Sequence, residues 1–146
     1  MESSEMNSCK PSFLSYRGRA RRRTWWCATL VIGLIAAVAM FIAVWPLLCA
    51  IANGGMDDLE AVLSAHGFGL LLASAIGIVA FFLLLPVNVR RLHDRNMSGW
   101  WLLAFWIGGA IPCMGALVGI AQFVIMGCLD GTPGTNRYGA NPKGVE

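Results

Sequence analysis

The residues best equipped for chemistry in this chain are concentrated in "RRLHDRNMSGWW", positions 90–101, where Arg90, Arg91 and Arg95 surround His93 and Asp94. Guanidinium groups make planar, two-pronged contacts with phosphate, and an imidazole beside a carboxylate is a candidate proton-transfer pair. The stretch therefore suggests either anion binding or acid–base work. The second is poorly supported, because neighbours in a helix point about 100° apart and no Ser or Cys nucleophile is spaced beside the pair. No catalytic residue is assigned. If a helix runs past Val89, Arg90 and Asp94 stand four residues apart and pair, leaving Arg91, His93 and Arg95 to face phosphates, with Ser98 placed to cap the next helix. Topology and anchoring alone account for most of these arginines.

A second polar cluster, "DGTPGTNRYGANP" at 130–142, has the residues of tight turns: Gly131, Pro133, Gly134, Asn136, Gly139 and Pro142. Arg137 and Tyr138 add a cation and an aromatic ring. The cluster has no G-K-[ST], and no strand precedes it, so its likeness to a phosphate-binding P-loop is superficial. Five cysteines, Cys9, Cys27, Cys49, Cys113 and Cys128, include no C-x-x-C pair and sit mostly in apolar sequence. They read as small apolar fillers, with neither a disulfide framework nor a metal site expected. His66 stands alone, and Asp57, Asp58 and Glu60 read as a solvated loop.

The elements that must position these residues follow from where charge is missing. Of the 146 residues, 57% are hydrophobic and 13% charged, about half the charged fraction of an ordinary soluble domain. The intervals 24–56, 61–89 and 96–129 contain no Asp, Glu, Lys or Arg. Each exceeds the roughly 20 residues needed to cross a hydrocarbon core. Within a bilayer an unpaired backbone polar group has no water to meet, so these runs are helical, and the alternation of a barrel is absent. The fold class expected is all-α: a polytopic helical membrane protein with two long transmembrane helices followed by a hairpin of two shorter ones. The hairpin follows from "GGAIPCMG" at 108–115, which interrupts the last run and predicts helices over roughly 99–110 and 113–129. The alternative is three spans, the last run being one Pro-kinked helix with the C-terminus outside.

Lys10, Arg17, Arg19, Arg21, Arg22 and Arg23 precede the first span, no Lys or Arg separates the first two, and Arg90, Arg91 and Arg95 follow the second. By the positive-inside rule the N-terminus and the 90–95 loop face the cytoplasm. The first run is about twice the length of a signal-peptide core, and it is read as an uncleaved anchor. Gly33 and Ala37, Gly69, Ala73 and Gly77, and Gly115 and Gly119 are spaced as helix-contact stripes, chance spacing having about equal weight. Trp25, Trp26, Trp100 and Trp101 fall at the cytoplasmic interface. Pro86 predicts a kink, with Asn88 beside it to bond a freed carbonyl. Residues 1–12 read as a flexible tail, 13–142 as one membrane-embedded domain and 143–146 as a C-terminal tail.

"FLSYRGRARRRTWW" (13–26), "VRRLHDRNMSGWW" (89–101) and "GTPGTNRYGANP" (131–142), in this order and around these spans, resemble the domain-of-unknown-function 805 family of bacterial inner-membrane proteins over nearly the whole chain. The family's motif residues fall on Gly18 and Arg19, on Arg90, Arg91, Leu92, His93, Asp94, Ser98, Gly99 and Trp100, and on Gly134, Asn136, Arg137, Tyr138 and Gly139. Ala140 stands where many members have proline. The resemblance implies a small multi-pass protein of the bacterial plasma membrane and brings no established activity with it.

The function expected from these readings is that of a non-enzymatic membrane protein. Its cytoplasmic surface, formed by Arg90, Arg91, His93, Asp94, Arg95, Arg137 and Tyr138, would bind anionic lipid headgroups or a protein partner, a second copy of the chain included. No cofactor, metal or nucleic acid is expected. A transporter or channel subunit is one alternative, weakened by the absence of ionisable residues in mid-span. A membrane enzyme using His93 and Asp94 on lipid or a phosphorylated substrate is the other.

Overall fold

The computed structural model describes residues 13–53 and 59–144. The expected 1–12 tail, Cys9, Asp57, Asp58 and the end of the C-terminal tail lie outside the described residues. Four α-helices follow in order: α1, Arg22–Ala52; α2, Leu59–Asp94; α3, Trp101–Gly109; and α4, Gly115–Phe123, which continues into a π-helical turn over Val124–Cys128. Among the described residues there is no strand, only an isolated antiparallel bridge between Asn136 and Gly139.

α1 and α2 are long and apolar enough to cross a membrane. They expose large side chains that water would not tolerate in such number, among them Leu34, Phe41 and Ile42 on α1 and Phe68 and Leu71 on α2. Lipid is the solvent that makes such a surface stable. α2 continues through Pro86 to Asp94 and closes with two backbone bonds, Met97 N to Leu92 O and Asn96 N to His93 O, both 3.0 Å. Asn96 is left-handed at φ 58°. This is a Schellman closure with asparagine in the position that usually takes glycine.

The last apolar run is interrupted where the glycines and proline predict. A Cβ on Gly108 would lie 3.1 Å from the Val118 side chain, and one on Gly115 only 2.8 Å from the Gly109 carbonyl oxygen. α3 and α4 therefore fold back on each other, since ten residues of continuous helix would hold positions 108 and 118 about 15 Å apart. Hydrogen bonds between the segment before α1 and the loop after the π turn bring both to the end of α2. A single crossing by the last run would put those segments on opposite faces, so the hairpin stands and the three-span alternative does not.

The chain divides into two compact units, Trp26–Leu85, and Met1–Trp25 with Pro86–Glu146. In the first, Ala73 and Ala80 are buried, and a cavity of about 360 Å³ is lined by α1 residues including Pro46 and by α2 residues including His66 and Gly69. The small-residue stripes are only partly contact surfaces. Ala73 is 2% exposed, whereas a Cβ on Gly33, Gly77 or Gly119 would meet nothing within 4 Å. Small side chains permit a close approach and cannot by themselves bring a neighbour to it.

Candidate functional site

The second unit assembles three polar segments: 13–21, the end of α2, and the loop after the π turn. At its centre is Asp94, whose side chain is 5% exposed. Its Oδ1 accepts from Arg19 Nε at 2.9 Å and its Oδ2 from Arg91 Nη1 at 2.6 Å, both arginine side chains being 1% exposed. The expected pairing of Asp94 with Arg90 gives way to one with Arg91, three residues before it, and with Arg19, brought from far away in sequence. Arg90 instead donates to the Phe13 carbonyl at 2.9 Å.

The remaining donors of the two central arginines explain why the cluster is stable. Arg19 donates through Nη1 to the Gly134 carbonyl at 2.7 Å and through Nη2 to the Thr132 carbonyl at 2.5 Å. Arg91 donates through Nε to the Met126 carbonyl at 2.7 Å and through Nη2 to that of Leu129. The last turn of a helix leaves carbonyls without N–H partners and carries a partial negative charge. Arg91 and Arg22 both meet the end of the last helix, Arg22 at the Cys128 carbonyl (2.9 Å), while Arg95 donates to the Asp130 carbonyl just beyond it. Two cations thus cap one helix terminus.

The loop is fixed as tightly. The Asp94 carbonyl accepts from Thr132 N at 2.8 Å and from Thr132 Oγ1 at 3.1 Å. Asn136 Nδ2 donates to the His93 carbonyl and to Thr132 Oγ1, both at 2.9 Å, while its Oδ1 accepts from Tyr138 N. The Tyr138 ring lies flat on the His93 imidazole, centroids 3.8 Å apart, and the Arg137 guanidinium stands 4.8 Å from the centre of the tyrosine ring. His93 Nδ1 faces the Gly18 carbonyl at 3.3 Å. Gly131 has no room for a side chain, since a Cβ there would fall 2.1 Å from Asp94 Oδ2. Gly18, Gly134 and Gly139 all take positive φ, where a Cβ is penalised.

Of the expected site residues, then, Arg90, Arg91, His93, Asp94, Arg95, Arg137 and Tyr138 do come together, with Arg90, Arg91 and Asp94 buried and Arg137 exposed. Leu92 is fully buried. Ser98 does not cap α3. Its Oγ lies 3.5 Å from Trp100 N in the turn before the helix, and α3 begins at Trp101. Gly99 fits against Val89, 3.0 Å from where its Cβ would be. Trp100 is exposed, whereas Trp25 is buried and donates its indole N–H to Asn88 Oδ1 at 2.7 Å.

Sequence reasoning from spacing missed the partnership of Arg19 with Asp94, because Arg19 is one of five arginines in seven residues and only the family motif singles it out. It also missed Arg21, which donates to the Pro142 carbonyl, and Lys143, whose Nζ lies 3.3 Å from Asp130 Oδ1. Lys143, by hydrogen bond and charge, and Arg22 by charge hold the Asp130 carboxyl below its ordinary range. Among the described residues no group of three or more His, Cys, Asp or Glu could hold a metal ion.

The family model described as "Protein of unknown function (DUF805)" matches residues 13–140. Inner membrane protein YhaH of Escherichia coli K12 is 34% identical over 132 residues, covering 90% of each chain. Inner membrane protein YhaI of the same strain is 32% identical over 133 residues, covering 90% of this chain and 89% of the relative. No solved structure matches. The first two motif segments that meet at Asp94 lie within the matched region and the third does so through residue 140, and the chain belongs to the DUF805 family.

Proposed function

We propose that this protein is a non-enzymatic, multi-pass component of the bacterial inner membrane whose polar unit lies on the cytoplasmic face and binds anionic lipid headgroups. The observation that carries the reading is the sign of the exposed charge. Among the described residues of that unit Arg17, Arg21, Arg22, Arg23, Arg137 and Lys143 are exposed cations, and Asp130 is the exposed anion. Buried Arg19 and Arg91 hold the unit together, and their donors are directed at Asp94 and at backbone carbonyls. Exposed Phe13, Leu14, Tyr16, Trp100 and Trp101 add the apolar and amphipathic side chains that settle at a headgroup boundary. The cytoplasmic leaflet is anionic and rewards each nearby Lys or Arg by about 1 kcal/mol, which also favours this orientation.

The test is lipid retention in detergent, read by native mass spectrometry with phosphatidylglycerol against phosphatidylcholine. A variant carrying Arg17→Gln, Arg23→Gln and Arg137→Gln should lose at least about tenfold in its preference for phosphatidylglycerol. The preference should also weaken with added salt. An unaltered preference in a variant that still folds rejects headgroup binding by this surface.

A further inference from the structure

One cavity in the polar unit is not accounted for by anchoring at a charged surface. It has a volume of about 290 Å³ and is lined by Asp94, by the 131–134 loop, by Asn141 and Pro142, and by Arg21 and Lys143. That volume is at the small end of the roughly 300–1,000 Å³ typical of small-molecule sites. Its chemistry is one-sided. The acceptors that would repel an anion are already engaged: both oxygens of Asp94 and the carbonyls of Thr132 and Gly134 by Arg19 and Arg91, and the carbonyl of Pro142 by Arg21. Thr132 Oγ1 is likewise engaged, with the Asp94 carbonyl and Asn136.

Donors remain. Arg21 uses Nε and Nη2 on one carbonyl, which leaves Nη1 without a partner among the described residues. Lys143 Nζ carries three N–H groups and has one partner among the described residues, Asp130, at 3.3 Å. The charged residues that line the cavity are Arg21, Lys143 and Asp94, and the Asp94 carboxylate is already matched by Arg19 and Arg91. The local charge therefore favours a dianion over a monoanion. The floor beneath Arg21 and Lys143 has little side chain of its own, because Gly131 cannot take a Cβ beside Asp94 and Gly134 sits at φ +66°.

We infer that this cavity is a binding site for a phosphomonoester group, with Arg21 and Lys143 as its ligands and the 131–134 loop as its floor. The inference builds on the basic character of the polar unit but concerns a discrete pocket, separate from Arg17, Arg23 and Arg137. A phosphomonoester has three terminal oxygens for a guanidinium edge and an ammonium to share. The same chemistry is presented by a soluble phosphate and by the headgroup of phosphatidic acid.

The experiment uses the full chain in detergent, with inorganic phosphate, glycerol 3-phosphate and short-chain phosphatidic acid as probes and phosphatidylcholine as the control. Binding is read by calorimetry and native mass spectrometry. Arg21→Gln and Lys143→Gln should each weaken phosphomonoester binding about tenfold or more, the effect of losing one charge-assisted hydrogen bond. Both residues are at the surface, so the unfolding midpoints should stay at the wild-type value. Binding of glycerol 3-phosphate and phosphatidic acid alike assigns a soluble source, and binding of phosphatidic acid alone assigns a lipid one. The Arg17, Arg23 and Arg137 triple variant should keep phosphomonoester binding while losing its phosphatidylglycerol preference, so the two readings fail separately. Failure of the wild-type chain to bind any phosphomonoester, or binding at the wild-type level by both glutamine variants, overturns the inference.

Discussion

At the scale of single residues, Asp94 is the most consequential side chain in the polar unit. Two buried guanidiniums share its carboxylate, and its backbone carbonyl holds Thr132. Removing one partner from a buried ionic cluster costs about 3–5 kcal/mol, because the charge left behind has neither water nor a counter-ion. Asp94→Asn should accordingly lower the unfolding midpoint in detergent sharply or prevent accumulation of the protein. Arg91→Lys should be nearly as damaging, since one ammonium cannot reach Asp94, Met126 O and Leu129 O at once. Wild-type stability in both variants would mean that the cluster is not the structural centre described here. Much of this was hidden in the sequence. The density of Arg, His and Asp at 90–95 was visible, but which arginine meets Asp94 depended on Arg19, 75 positions earlier.

At the scale of elements, the helices were legible because their cause is local. A long run without ionised groups must satisfy its backbone internally in lipid, and the break at 108–115 follows from glycine and proline in a short span. The close approach inside the hairpin was only half legible. Gly115 and Gly119 share one stripe, yet a Cβ at Gly115 would meet a backbone oxygen at 2.8 Å while one at Gly119 would meet nothing. Gly115→Ala should therefore destabilise the hairpin by about 1–3 kcal/mol. Gly119→Ala and Gly33→Ala should be neutral or stabilising by about 0.5–1 kcal/mol, from reduced backbone freedom in the unfolded chain. Thermal unfolding in one detergent compares all three, and equal losses would show that the stripe acts as a whole. The π turn that presents the Met126 carbonyl to Arg91 had no sequence signal.

At the scale of the whole molecule, the contacts of Arg19 with Thr132 and Gly134 require the segment before α1 and the loop after α4 to share one membrane face. In a background without native cysteines, Leu14→Cys and Thr135→Cys should both react with an impermeant maleimide in inside-out vesicles, and neither in intact cells. Labelling from opposite faces would contradict the hairpin. Labelling of both from outside would reverse the orientation and remove the basis for binding to the cytoplasmic leaflet.

Read as a string, the chain already determined that it is helical and membrane-embedded, where its helices break, and which three segments carry its polar chemistry, because these depend on counting apolar and charged residues over short windows. Only the tertiary structure decided what the arginines do. Whether a guanidinium is buried on a carboxylate, caps a helix terminus or remains at the surface for a ligand depends on which acceptors the fold brings within about 3 Å. Those acceptors are mostly backbone carbonyls, which every residue has and no sequence pattern marks.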